Sequence, residues 1–175
     1  MILISDITLS HPLWERADNE LCGNDGVSLF GRLVDIYLIA CAIGIKEDKA
    51  IEQFDGQLNP PKTIGRNTYL AQKNTDLKDA LEFMLQNAII NSKTISYDID
   101  ERLKLAFDPD YVISKFSPAA FLTGFANYGI TEIFKRIDYT SSIVAIDELY
   151  KYFSELEDSR FDDLLNNITL ENVLA

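Results

Sequence analysis

Few residues in this 175-residue chain have the types and spacing that chemistry needs. His11 is the only histidine, so a Ser-His-Asp or Cys-His nucleophilic system would have to use it. It sits in His11-Pro12 near the start, and no nucleophile elbow occurs in the chain. Asp147-Glu148 with Lys151 has the residue types of a metal-dependent nuclease. On a helix, though, Asp147 and Lys151 are i, i+4 neighbours and form an ordinary surface pair. Asp98, Asp100 and Glu101 are no more specific. Cys22 and Cys41 with one histidine cannot supply the ligands of a structural zinc site. Gly23 and Gly26 are too sparse for a phosphate-cradling loop. The expectation is a protein without a catalytic constellation, a metal or a cofactor.

Binding residues are easier to nominate. Lys62, Arg66 and Asn67 follow Asn59-Pro60-Pro61, and they form a modest set of anion-capable donors in an expected exposed loop over 57–70. Trp14, in the irregular segment Pro12-Leu13-Trp14, either covers the core or anchors a partner protein. The third candidate is electrostatic. The chain carries 16 Lys+Arg against 28 Asp+Glu, a net charge of −12. Residues 138–175 hold nine acids and two bases, a local charge of −7. Within them Glu155, Glu157, Asp162 and Asp163 are candidate contacts for a basic partner. Arrayed carboxylates that imitate DNA are the sharper alternative. Direct nucleic-acid binding is disfavoured, because affinity for phosphates comes from Lys and Arg and no basic run exists.

These residues need a scaffold. Apolar residues make up 47% and charged residues 25%, which is ordinary for a globular chain. A chain of this length buries roughly 70% of its unfolded surface, enough for one core without disulfides. The longest apolar run, Ile36 to Ile45, is ten residues, half of what a membrane span needs. The start, Met-Ile-Leu-Ile-Ser-Asp, lacks the basic and apolar regions of a signal peptide, so a reduced cytoplasmic setting is expected.

Periodicity predicts an all-α, single-domain bundle over 1–175. Residues 1–26 read as an irregular arm, and 46–74 as an irregular loop region. A short hairpin is allowed among 1–10 or 57–70. The central helix is placed at about 27–45. It is apolar on every side, hence buried, with Gly44 as its stop. Further helices are predicted at Thr75–Asn91, 98–107 and a short piece at 111–116. A longer one starts at Pro118 behind Ser117. Gly129 either breaks this helix or lets another backbone approach. The acidic part, 138–175, reads as a helix over 142–157 with one or two short helices after it. On the first, Ile143, Ile146, Leu149, Tyr150 and Phe153 are expected to share the buried face.

Two stretches carry a resemblance. Phe30 to Lys46 has a Leu33-Val34-Asp35 entry, an Ala40-Cys41-Ala42 centre and an Ile43-Gly44-Ile45-Lys46 exit. Ala106 to Ile137 contains Phe125-Ala126-Asn127-Tyr128-Gly129. Together they resemble small helical accessory proteins associated with bacterial DNA-phosphorothioation (dnd-type) gene clusters. Tyr128 stands where that family has a first glycine, and Ile45 where it has an aromatic residue. The resemblance implies an accessory role beside larger ATPase, helicase or nuclease subunits in anti-phage defence. It carries over no catalytic residues. The competing expectations are a DNA-mimic inhibitor, and a small-ligand binder or unrecognised enzyme using the 57–70 loop.

Overall fold

A computed structural model describes residues 5–22, 29–71, 75–137 and 141–167; for 142 and 157–167 it describes the backbone alone. The described chain is mainly helical. Strand β1 (Ile7–Leu9) leads to a four-residue helix α1 (Leu13–Arg16), which widens into a π-helical turn over Ala17–Leu21. Then come α2 (Leu33–Glu47), β2 (Lys62–Ile64), α3 (Arg66–Leu70), α4 (Thr75–Asn91), α5 (Ile99–Phe107), α6 (Pro118–Arg136) and α7 (Ser142–Asn167).

Helices α2 and α6 form the centre. They run antiparallel and touch backbone to backbone at two glycines. Gly44 of α2 lies on the main chain of Phe125, and Gly129 of α6 lies on the main chain of Ala40. A Cβ at either position would fall inside the opposing carbonyl group. Gly129 therefore neither breaks nor ends α6; it admits a neighbouring backbone, as small residues at helix crossings do. Gly44 is likewise a contact residue and not a stop. The helix runs on to Glu47 and ends in a Schellman motif, with Asp48 left-handed at φ 50° and the Lys49 N–H on the Gly44 carbonyl at 3.0 Å.

The predicted start of α2 is corrected as well. Leu29 and Phe30 donate their N–H groups to the Leu21 carbonyl, and the helix begins only after the extended Arg32. Residues 23–28, which include the first predicted positions of the helix, lie outside the described residues. As expected, α2 is buried, through Val34, Ile36, Tyr37, Ala40, Cys41, Ile43 and Gly44.

The arm and the loop region are more regular than expected. One strand from each pairs with the other: β1 and β2 are antiparallel, with Ile7 opposite Ile64 and Leu9 opposite Lys62. Among the described residues no local hairpin is formed; the two strands meet across more than fifty residues of chain. Helix α4 matches its predicted span and buries Leu81, Leu85, Ala88 and Ile89. Helix α5 starts at Asp98, whose carboxylate accepts the Glu101 N–H at 2.9 Å, and Ser117 caps α6 in the same way through the Ala120 N–H at 3.3 Å.

Residues 111–116 are irregular with one turn and not the predicted helix. The Asp108 carboxylate accepts the Asp110 N–H at 2.9 Å, and Pro118 disfavours helical backbone at the residue before it. Within the acidic end, Ser142–Asn167 form a single helix, α7, where separate helices were expected.

Candidate functional site

Three places gather polar or exposed groups: the buried junction around Asn127, the cleft beside it, and the surface of α7.

Asn127 sits mid-way along α6, just inside the glycine contact. Its Oδ1 accepts the Trp14 indole N–H at 2.9 Å, and its Nδ2 donates to the Ile51 carbonyl at 3.1 Å. The Ile51 N–H returns to the Gly124 carbonyl at 2.9 Å. One amide thus ties α1, the segment after α2 and α6 together. Trp14 is fully buried, beside Tyr37 at 5.9 Å between ring centroids. This corrects its candidacy as a partner anchor: no part of it faces solvent, and its one donor is engaged. Tyr37 and Thr123 share a hydroxyl bond at 3.2 Å. Burial pushes the Tyr37 hydroxyl and the Cys41 thiol well up, so neither ionises near neutral pH. Cys22 is pushed up to about 11 by burial and by Asp18 and Asp35. His11 accepts the Leu13 N–H on Nδ1 at 3.3 Å and packs edge-on to Phe54, and burial lowers its pKa.

Above this junction lies a cleft of about 560 Å³. The outer face of β1 supplies Asp6, Thr8 and Ser10; the segment after α2 supplies Glu52, Phe54 and Gln57; the start of α6 supplies Ser117, Phe121 and Thr123. Among the described residues that line it, Lys115 is the one cation. Lys62, Arg66 and Asn67 do not line it. They belong to β2 and α3, where a loop was predicted. Lys62 is held by Asp18 at 2.8 Å, and the Arg66 main-chain N–H donates to Asp6 at 2.7 Å. Lys62 is therefore already committed to a carboxylate.

Helix α7 docks through a polar knot at the end of α2. The Glu47 carboxylate accepts the Tyr128 hydroxyl at 2.7 Å, Lys49 at 3.0 Å and the Tyr152 hydroxyl at 3.1 Å. Burial pushes this carboxyl up, but the bonds from Tyr128, Lys49 and Tyr152 outweigh it and hold Glu47 below its ordinary range. Arg136 stacks over the Tyr152 ring at 4.4 Å and binds the buried Glu132 at 3.3 Å. Beside Glu47, burial and the neighbouring carboxylate push Tyr152 well up, and Lys49 is likewise raised by its bond to Glu47. Raised Tyr and Lys pKa values suit a structural tie rather than a base or nucleophile.

Of the stripe predicted to be buried on α7, Leu149 is buried and the other four residues are not. Leu149 is joined in the core by Ala145 and Tyr152, one row round. Ile143 (81% exposed), Ile146 (57%), Tyr150 (72%) and Phe153 (37%) face solvent. Beside them, Asp147 pairs with Lys151 at 2.6 Å, the predicted i, i+4 pair, and Glu155 reaches Arg136 at 3.6 Å. The side chains of Glu157, Asp162 and Asp163 lie outside the described residues.

Sequence reasoning missed Glu47 and Tyr152, because no spacing rule links positions that far apart. It also missed Arg102, whose guanidinium binds the carbonyls of Ile90, Ser92, Ile95 and Tyr97 and closes the α4–α5 turn. Among the described residues no group of three His, Cys, Asp or Glu is placed to hold a metal, and no helix is long and apolar enough to cross a membrane. Comparison with family models, curated proteins and solved structures finds no match to this chain.

Proposed function

We propose that the protein is a non-enzymatic accessory subunit that works through protein–protein contacts made by α7. The observation carrying this reading is the bare stripe of Ile143, Ile146, Tyr150 and Phe153 on a helix otherwise well tied to the core. Four large apolar residues over three turns of one helix are an interaction surface more often than idle solvent-facing positions. Tyr and Phe among them are the types that dominate interface energetics. The resemblance to dnd-associated accessory proteins supplies the setting: the bacterial cytoplasm, in an anti-phage or DNA-modification complex with a larger ATPase, helicase or nuclease.

The test is affinity purification of the tagged full chain from a bacterium that carries it, beside an Ile146→Ser, Tyr150→Ser variant. Recovery of a defence ATPase, helicase or nuclease with the parent chain and its loss with the variant is the expected result. Equal recovery with both chains, or none with either, rejects α7 as the docking face.

A further inference from the structure

The bare face of α7 has a definite shape and border. Ile143, Ile146, Tyr150 and Phe153 fall at i, i+3, i+7 and i+10, a straight row of about 15 Å at 1.5 Å per residue. That is the anchor spacing by which one helix lies along another. One row further round come Asp147, Lys151 and Glu155, all exposed, and then Glu148. Over its length α7 carries seven acids and two bases.

The stripe is too small to be the whole contact. A stable interface covers about 800 Å² on each partner, so whatever seats on four side chains must also cover the neighbouring rows. On the outer side those rows hold Asp147, Glu148 and Glu155 with Lys151 and the exposed Val144; Lys151 and Arg136 already pair with Asp147 and Glu155, but α7 as a whole carries five more acids than bases, and this excess sets the chemistry of the occupant. A second copy of the chain would set one acidic border against another. Nucleic acid and anionic lipid present negative charge as well. Helices that lie in membrane surfaces carry Lys and Arg on the polar face, the reverse of α7. A helix with an apolar row flanked by Lys or Arg meets both features at once.

We infer that α7 seats a cationic amphipathic helix of a partner protein, its apolar row on Ile143, Ile146, Tyr150 and Phe153 and its cations against Asp147, Glu148 and Glu155. This inference rests on the accessory-subunit reading and adds the chemistry of the partner's segment.

The experiment uses the full chain and two labelled peptides of about 18 residues, long enough to form a helix. They share one leucine pattern; one has Lys at every flanking position and the other has Glu. Fluorescence anisotropy is read at about 50 and 300 mM salt, where screening differs more than twofold in length. The Lys peptide is expected to bind at least tenfold more tightly than its Glu twin, and more weakly at the higher salt. Ile146→Ser and Tyr150→Ser are each expected to weaken it at least fivefold. Phe83→Ser, at an exposed aromatic residue on α4, is expected to leave it unchanged. Equal affinity for the two peptides, lost in the α7 variants, overturns the cationic occupant and leaves α7 docking standing. Lys-peptide binding that ignores Ile146 and Tyr150 is plain charge attraction and overturns both. Binding of neither peptide overturns the inference. So does a dimer in sedimentation that Ile146→Ser dissociates, which would make the occupant a second copy.

Discussion

Helices α2 and α7 both carry apolar residues on more than one face, and the structure treats them in opposite ways. Around α2 one side is fully buried and Leu33, Leu38, Ile39 and Ile45 pack partly buried against the core, and at Gly44 and Gly129 the covering helix comes so close that no side chain fits between. Among the described side chains of α7, Ala145, Leu149 and Tyr152 are buried and Leu156 packs against the core, while the adjacent row stays in solvent. The first helix is held by close packing and the second by one apolar row and a polar knot at Glu47. The difference separates two uses of an apolar residue: filling a core, where each ångström matters, and presenting a surface, where the fold is indifferent to the residue's identity.

Each side of this contrast can be broken in turn. The largest effect is expected at the helix crossing. Gly129→Val forces α2 and α6 apart along their length and should cost about 3 kcal/mol or more, or prevent folding, as read by urea denaturation. A loss below about 1 kcal/mol would show that the crossing is loose.

Next is the junction beneath the cleft. Asn127→Ala strands the buried Trp14 N–H and the Ile51 carbonyl, and should cost about 2 kcal/mol with a change in Trp14 fluorescence. An unaltered emission spectrum would contradict the Trp14–Asn127 bond.

The polar knot is weaker and depends on pH. Tyr152→Phe should cost about 1 kcal/mol, and hydrogen exchange should rise in α7 while α2 and α6 keep their protection. Glu47 has a lowered pKa in the folded chain, so its contribution is complete above its ordinary value of 4.5 and is lost as pH falls through the lowered one. Acid should therefore loosen α7 before the helix crossing opens. In the Tyr152→Phe protein, which has one bond fewer to Glu47, this loosening should begin at a higher pH. Simultaneous loss of protection in α7 and α2 would show that the two regions are not separable.

The smallest effect sharpens the comparison most. Ile146→Ser on the bare face should change stability by no more than about 0.5 kcal/mol, because a solvent-facing residue has little packing to lose. A cost of several times that would place Ile146 in a packed environment and remove α7 as a free surface.

Much of the fold was legible in local signals. The span of α4, the caps at Asp98 and Ser117, and the burial of α2 follow from periodicity and capping chemistry that act within a few residues. The candidate site was legible only in part. The sequence marks residues 138–175 as acidic and helical, but the choice of stripe went wrong for a definite reason. Ile143, Ile146, Tyr150 and Phe153 form as good a row as Ala145, Leu149, Tyr152 and Leu156, and a richer one in apolar volume. Periodicity finds the rows and cannot rank them. The winning row contains the tyrosine that reaches Glu47, more than a hundred residues away in the chain.

The sequence by itself determined that this is an acidic, mainly helical chain with one strongly apolar central helix. It determined this because helix formation, capping and hydrophobic patterning depend on neighbours three and four residues apart. Only the tertiary structure decided that β1 finds β2 across the chain, that Gly129 admits Ala40 rather than ending a helix, that Trp14 is core, and that α7 turns its richer apolar row outward. Each of those outcomes is a contact between residues far apart in sequence, and it is fixed by the shape of the partner surface, which no local pattern encodes.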